Sequence, residues 1–167
     1  MLFRSGVRTA AAVTALPYAE HSDGRDFTIE GRPTVPDELP RGMYQVATPA
    51  YFDLVHIPLV AGRLLTEGDG ADAPKVALVS RRMAERWWKN ESPLGKHIRL
   101  GGLDSKNPWL TIVGVVGDIM HNPYDREPRR TIYVPFPQAP ELWMDIGVRT
   151  RETPWRSVPA CVRPSVR

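Results

Sequence analysis

Proline is the feature that most restricts how this chain can fold. The sequence of 167 residues contains 17 prolines, about twice the usual share of roughly 5%. An interior proline removes a helical hydrogen bond, and it also favours an extended conformation in the residue before it. We therefore expect short strands, short helices and extended connections, within an ordinary globular composition that is 42% hydrophobic and 25% charged.

Strands are predicted where apolar and β-branched residues alternate, or form short runs bounded by turn residues. Most of the chain follows this pattern, which predicts a fold rich in β-structure. The predicted strands are Val7–Leu16, Phe27–Glu30, Met43–Thr48, Val76–Val79, Ile98–Leu100, Trp109–Val116, Thr131–Val134 and Ile146–Thr150.

Helical patterns are short and few. One helix is predicted to begin at Pro49 with Thr48 as its cap, because proline is tolerated in the first turn. A second is predicted over Arg81–Lys89, capped by Ser80, since its apolar side chains recur four residues apart. The tail favours a further helix beginning at Thr153, although later prolines would interrupt it.

The cysteine content and the N-terminus restrict the class of protein only weakly. Cys161 is the single cysteine, so an internal disulfide and a multi-cysteine metal site are excluded. No apolar run approaches the roughly 20 residues that a membrane-spanning helix needs. Ala10–Leu16 is too short and too rich in alanine for a typical secretory signal, and we favour a buried strand beginning at Val7.

Positive charge is concentrated in the segment 81–99, which contains six basic and two acidic residues. Two tryptophans lie within it, so a soluble nucleic-acid-binding module is the alternative function from another class. A solvated face of an amphipathic helix explains the same pattern, and we prefer it. The basic residues are Arg81, Arg82, Arg86, Lys89, Lys96 and Arg99, and the tryptophans are Trp87 and Trp88.

The glycine motifs do not predict a nucleotide site. Gly95 and Lys96 are followed by histidine rather than by serine or threonine, so the phosphate-binding loop is incomplete. Gly114 and Gly117 are followed by Pro123 and a charged loop, whereas the glycines of a dinucleotide fingerprint open a helix. We interpret these two glycines as positions where strands approach closely or where the sheet bulges.

No combination of residues predicts a catalytic or metal site with any specificity. Asp118 and His121 form at most half of a metal or hydrolase site, and the histidine is expected to face solvent near a turn. Ser80 lacks the flanking glycines of a nucleophile elbow, and helix capping explains it. An exported hydrolase that uses Asp118 and His121 is therefore the weakest functional hypothesis.

Several segments, taken together and in this order, resemble the periplasmic core domain of MacB-like and FtsX-like ABC transporter permeases. The resemblance covers roughly residues 6–158. Within that group, the sequence is similar to the acidobacterial-type members. The matching segments are Tyr51–Arg63, Pro74–Trp88, Glu91–Ile98, Thr111–Asp118, Ile132–Pro135 and Val148–Thr150.

The resemblance implies an α+β fold with mixed sheets and few short helices. It implies a porter-like α/β lobe formed by residues 1–48 and 137–167, into which residues 49–136 insert as a smaller β-rich lobe with one amphipathic helix. In the family this domain lies outside the cytoplasmic membrane, between two transmembrane helices, so the chain is expected to be part of a longer permease. A missing edge strand would leave a sheet edge open for self-association.

The resemblance also implies a function without catalytic residues, cofactors or metal ions. The domain would transmit conformational change between a cytoplasmic ATPase and a periplasmic substrate or partner, such as an adaptor protein. Its partners would be the transmembrane helices and the ATPase of the parent permease, and no nucleic acid is expected. The loop before Thr131 is the candidate partner surface, because charged and aromatic residues on a loop between rigid strands can contact another protein. The candidate residues are Tyr124, Arg126, Arg129 and Arg130.

Overall fold

The computed structural model describes residues 6–19, 23–33 and 38–151. Within these residues the chain forms nine strands, two short α-helices and one 3-10 turn at Phe136–Gln138, which confirms the α+β class. The elements are β1 (Val7–Val13), β2 (Asp23–Ile29), β3 (Arg41–Ala47), α1 (Tyr51–Leu54), β4 (Leu59–Gly62), β5 (Val76–Ser80), α2 (Arg81–Trp87), β6 (His97–Leu100), β7 (Leu110–Val116), β8 (Thr131–Pro135) and β9 (Asp145–Thr150).

Six of the strands close into a barrel. Their order is β2, β6, β7, β5, β8 and β3, and β3 pairs back with β2. The pairs β3–β8 and β5–β7 are parallel, whereas the other pairs are antiparallel. Two further strands, β1 and β9, extend the sheet from β3, and β4 pairs with β7. Closure pairs both edges of each barrel strand with a neighbouring strand. An unpaired strand edge must therefore lie in the additional strands.

Alternating side chains separate two hydrophobic clusters. In β5, Ala77 and Val79 belong to the cluster inside the barrel, while Val76 and Leu78 belong to the cluster on its outer side. Tyr51 and Phe52 of α1 cover that outer cluster. Because its strands bury both faces, this part of the sheet reads as continuous apolar runs in the sequence.

Helix capping differs between the two helices. The prediction for Ser80 is confirmed, since its Oγ accepts a hydrogen bond from the backbone N–H of Met83 at 3.4 Å. The predicted cap at Thr48 is wrong, because α1 begins after Ala50 without a side-chain cap. The Thr48 hydroxyl instead accepts a hydrogen bond from the N–H of Ala12 at 3.0 Å and thereby joins β3 to β1.

The structural interpretation of the glycines in β7 is confirmed. Leu78 of β5 pairs with Gly114, whereas the preceding Ala77 pairs with Ile112, so Val113 is an extra residue in a bulge. A Cβ atom on Gly114 would lie 2.1 Å from the carbonyl oxygen of Arg63. The absent side chain is therefore required for strand packing.

The strands of the predicted lobes share one sheet. In the segment 1–48, β2 pairs with β6 and β3 pairs with β8, both from the segment 49–136. In contrast, β1 pairs along its length with β9, after residue 137. The division into two lobes stays a prediction, and the helix predicted at Thr153 lies outside the described residues.

Candidate partner-binding groove

Parallel pairing of β5 and β7 brings two carboxyl-terminal strand ends together. Ser80 lies opposite Val116 in the register, so the start of α2 faces the residues that follow β7. Asp118 accepts hydrogen bonds from the N–H of Arg82 at 2.9 Å and from Nε of Arg81 at 3.2 Å. Its side chain is 6% exposed, and these contacts make it a stabilising group for the first turn of α2.

His121 does not join Asp118 in a reactive pair. The expectation that it faces solvent is wrong, because it is only 4% exposed, and neither ring nitrogen has a hydrogen-bond partner among the described residues. Burial lowers the pKa of His121 to about 4, and the charge of Arg129 acts in the same direction, while the charge of Asp125 opposes both. The ring is neutral at pH 7.

Hydrogen bonds and ion pairs hold the loop that follows His121. The Asn122 side chain accepts a hydrogen bond from the N–H of Tyr124 at 2.9 Å. Arg129 contacts both carboxylate oxygens of Asp125, at 2.6 and 3.0 Å, and thereby holds the pKa of that carboxyl below its ordinary value. Glu127 pairs with Arg82 of α2. The loop is therefore fixed at its base and linked to the helix.

The candidate partner residues occupy different positions on this loop. Tyr124 is 91% exposed at its surface. Arg126 is exposed and makes no ion pair with the residues that the structure describes. Arg129 is bound to Asp125, and the guanidinium of Arg130 lies 5.6 Å from the ring centre of Trp87. Three of the four, excluding Tyr124, line one groove.

This groove lies between the loop, the start of α2 and the beginning of β3. It has a volume of about 460 Å³. Its floor includes two glycines, and its walls contain five arginines and two carboxylates. The lining residues that carry this description are Gly24, Gly42, Arg41, Arg82, Arg126, Arg129, Arg130, Asp125 and Glu127.

The sequence does not predict that Arg41, Arg82 and Glu127 belong to one surface. They come from three distant segments, which meet because β3 and β8 are parallel neighbours and α2 follows β5. No local motif predicts that pairing. The one available signal was the density of arginines in the loop before β8.

The basic segment 81–99 does not form the surface that the nucleic-acid alternative requires. Trp88 is buried, and the ring of Trp87 packs edge-on against Phe27 with centres 5.1 Å apart. Lys96 pairs with Glu91, and Arg99 lies over Trp109. The tryptophans therefore belong to packed structure rather than to a stacking platform, and the geometry does not support this alternative.

Within residues 6–19, 23–33 and 38–151, no three or more His, Cys, Asp or Glu side chains converge as a metal site. Neither helix in the described part of the chain has the length and apolar character that a membrane crossing requires.

Comparisons with known proteins agree on one relationship. Residues 4–158 match the family described as MacB-like periplasmic core domain. A curated relative, the macrolide export ATP-binding/permease protein MacB of Syntrophobacter fumaroxidans, is 30% identical over 78 residues. That alignment covers 47% of this chain and 10% of the relative, so the chain spans a small part of its length.

Solved structures support the same fold. The periplasmic region of MacB from Actinobacillus actinomycetemcomitans has a TM-score of 0.62 at 19% identity, covering 89% of this chain and 60% of that one. The extracellular domain of the ABC-type transporter YknZ from Gram-positive bacteria has a TM-score of 0.59 at 19% identity, covering 88% and 67%. The chain therefore belongs to the family of MacB-like periplasmic core domains, which are domains of ABC transporter permeases on the periplasmic side of the membrane.

Proposed function

We propose that this chain is a non-catalytic domain of an ABC-type export permease that transmits conformational change between a cytoplasmic ATPase and a periplasmic substrate or partner. The observation that carries the proposal is the position of its first and last described strands. β1 and β9 are antiparallel neighbours, and the N–H of Arg151 donates to the carbonyl of Gly6 at 2.8 Å. Transmembrane helices of the parent permease, attached at both ends, would meet the domain at one place.

A movement of this strand pair would reach the barrel through the contact between β1 and β3. Their register contains one residue pair, Val13 with Ala47. Two backbone hydrogen bonds flank this pair, from the N–H of Thr14 to the carbonyl of Val46 and from the N–H of Thr48 to the carbonyl of Ala12, both at 2.9 Å, and side chains add further contacts. Oε1 of Gln45 accepts hydrogen bonds from the Thr14 hydroxyl at 2.7 Å and from the N–H of Ala15 at 3.1 Å. Packed elements joined in this way move as rigid bodies.

Gln45→Leu is expected to uncouple β1 and β9 from the barrel. Gln45 is 1% exposed, so the substitution leaves the Thr14 hydroxyl and the N–H of Ala15, which follow β1, without this acceptor, at a cost of about 1–3 kcal/mol. Hydrogen exchange of the amides in β1 and β9 should accelerate about tenfold or more, whereas exchange in β5 and β8 should change less.

Gln138→Leu is the matched control for that experiment. Gln138 accepts a hydrogen bond from the N–H of Val76 at 3.0 Å, away from the β1–β3 contact. It should leave β1 and β9 protected as in the original chain. Equal acceleration in all strands of the Gln45 variant would contradict the transmitting role of this contact. ATP hydrolysis by the purified chain would contradict the non-catalytic part of the proposal.

The outer edge of β9 supports self-association of the isolated chain. No described strand pairs with that edge. Ile146 is 72% exposed and Val148 is 50% exposed, and their register partners on β1 are Ala12 and Ala10. An unpaired strand with an apolar face is a template for pairing with another strand. We therefore propose that two copies pair through β9 when nothing else covers it.

Ile146→Lys is expected to keep the chain monomeric at concentrations where the unchanged chain forms dimers, because an edge lysine opposes strand pairing. Sedimentation velocity over a concentration series measures this. Val60→Lys is the control, since Val60 is 50% exposed on β4, a different strand. A chain that stays monomeric throughout, or a Val60 variant that loses the dimer equally, would refute pairing through β9.

A further inference from the structure

The groove between the loop and β3 carries positive charge that the described residues do not fully neutralise. Its five arginines face Asp125 and Glu127 within the lining. Asp26, on β2, adds one weak contact with Arg41 at 3.5 Å. Positive charge therefore exceeds negative charge, and a concave surface of one sign attracts ligands of the other.

The arginines differ in how firmly they are held. Arg129 is fixed by both oxygens of Asp125. Arg130 is exposed beside the ring of Trp87 and makes no ion pair with a described residue. Arg126 has no carboxylate partner in the described part of the chain. Two donor groups are thus available on a loop that is already ordered, which reduces the entropy lost on binding.

Glu127 shows how a carboxylate can bind in this groove. It is 66% exposed, and it reaches from the loop to the guanidinium of Arg82 on α2. An exposed ion pair of this kind contributes little to stability, so an external carboxylate can replace it at little cost. Arg82 is then a third donor.

Two glycines keep the floor of the groove open. A Cβ atom on Gly24 would lie 2.9 Å from Nε of Arg41, and one on Gly42 would lie 3.4 Å from the carbonyl oxygen of Arg130. A side chain at Gly24 would displace the guanidinium of Arg41, and one at Gly42 would occupy the space beside the Arg130 carbonyl oxygen and the Ile132 side chain. The volume of about 460 Å³ lies within the range of roughly 300–1,000 Å³ of ligand-binding clefts.

We infer that this groove binds an acidic segment of a periplasmic partner protein. Glutamate or aspartate side chains of the segment pair with Arg126 and Arg130, and one of them replaces Glu127 at Arg82. Guanidinium groups bind carboxylates through paired hydrogen bonds, which are stronger than neutral ones. The inference rests on the proposed function, because a domain that transmits movement to a partner needs a surface that holds that partner.

A nucleic acid fits the groove less well than an acidic protein segment. Single strands bind through aromatic platforms on which bases stack. The nearest tryptophan, Trp87, has its ring packed against Phe27 and covered by Arg130, and Trp88 is buried. Tyr124 is exposed, but it is not part of the groove lining.

The test measures binding of a fluorescein-labelled hexaglutamate peptide to the purified chain by fluorescence anisotropy at low ionic strength. Arg126→Ala is expected to weaken binding about tenfold, as the loss of a charge-assisted contact predicts. Glu127→Gln is expected to strengthen binding, because it releases Arg82. A hexaglutamine peptide should not bind.

Arg86→Ala is the matched control, since Arg86 is exposed on α2 outside the groove and its loss changes the net charge equally. Its binding should equal that of the original chain. If both alanine variants weaken hexaglutamate binding equally, the effect is a general electrostatic attraction, and this result would overturn the inference. Absence of hexaglutamate binding would also overturn it, as would tighter binding of a short single-stranded DNA oligonucleotide with the same dependence on Arg126. These failures would leave the permease assignment intact, because it does not depend on the groove.

Discussion

Gly114→Ala is expected to destabilise the chain by about 3 kcal/mol or more, because the added methyl group has no space. Its Cβ would lie 2.1 Å from the Arg63 carbonyl oxygen and 2.9 Å from Cδ2 of Leu78. The nearer atom belongs to the backbone, so relief requires that β4 moves away from β7. A urea unfolding curve should show a strongly lowered midpoint.

The surroundings of Gly114 leave little freedom for such a movement. Its register partner in β4 is Gly62, which has a φ of 76° and whose own Cβ would lie 2.3 Å from the Val113 carbonyl oxygen. Gly70→Ala is the control, since no atom lies within 4 Å of that added Cβ. It should change the free energy of unfolding by less than about 0.5 kcal/mol. Similar midpoints for both variants would refute the close strand approach at Gly114.

His121 is expected to make the chain less stable as the pH falls below 6.5. Its pKa is about 4 in the folded chain, compared with 6.5 for an ordinary histidine. Between these values the unfolded chain binds more protons than the folded chain, so lowering the pH favours unfolding. The linkage relation gives a loss of about 2 kcal/mol between pH 7 and pH 5.

His121→Leu should remove this loss. The ring nitrogens have no hydrogen-bond partner in the described residues, so the substitution breaks no such bond. Urea unfolding at pH 7, 6 and 5 should give a falling free energy for the original chain and a flatter profile for the variant. Most carboxylates remain ionised at pH 5, with ordinary pKa values near 4, so they contribute little in this window. Parallel profiles for the two proteins would contradict the buried, neutral state of the histidine.

Features with a local cause could be predicted from the sequence. Ser80 follows an apolar run and precedes an amphipathic pattern, and it caps α2 as expected. Gly114 interrupts a β-branched run that no helix follows, and its packing role is confirmed. In each case the role of the residue follows from nearby residues in the sequence or from a strand that its own apolar pattern predicts.

Features that depend on distant pairing could not be predicted in this way. The closure of β2 onto both β3 and β6 is invisible to a local pattern, and so is the contact that draws the Thr48 hydroxyl to β1 instead of α1. His121 is polar and follows a strand near a proline, which is typical of a surface turn. Its burial arises from tertiary packing, which overrides local preference.

The coding DNA on either side of this chain shows whether it is a domain of an export permease. We expect flanking segments of roughly 20 predominantly apolar residues, with a gene for an ABC ATPase nearby. Long-read sequencing of the locus together with sequencing of its transcript would reveal both. A transcript without such segments on either side, and without a neighbouring ATPase gene, would contradict the account.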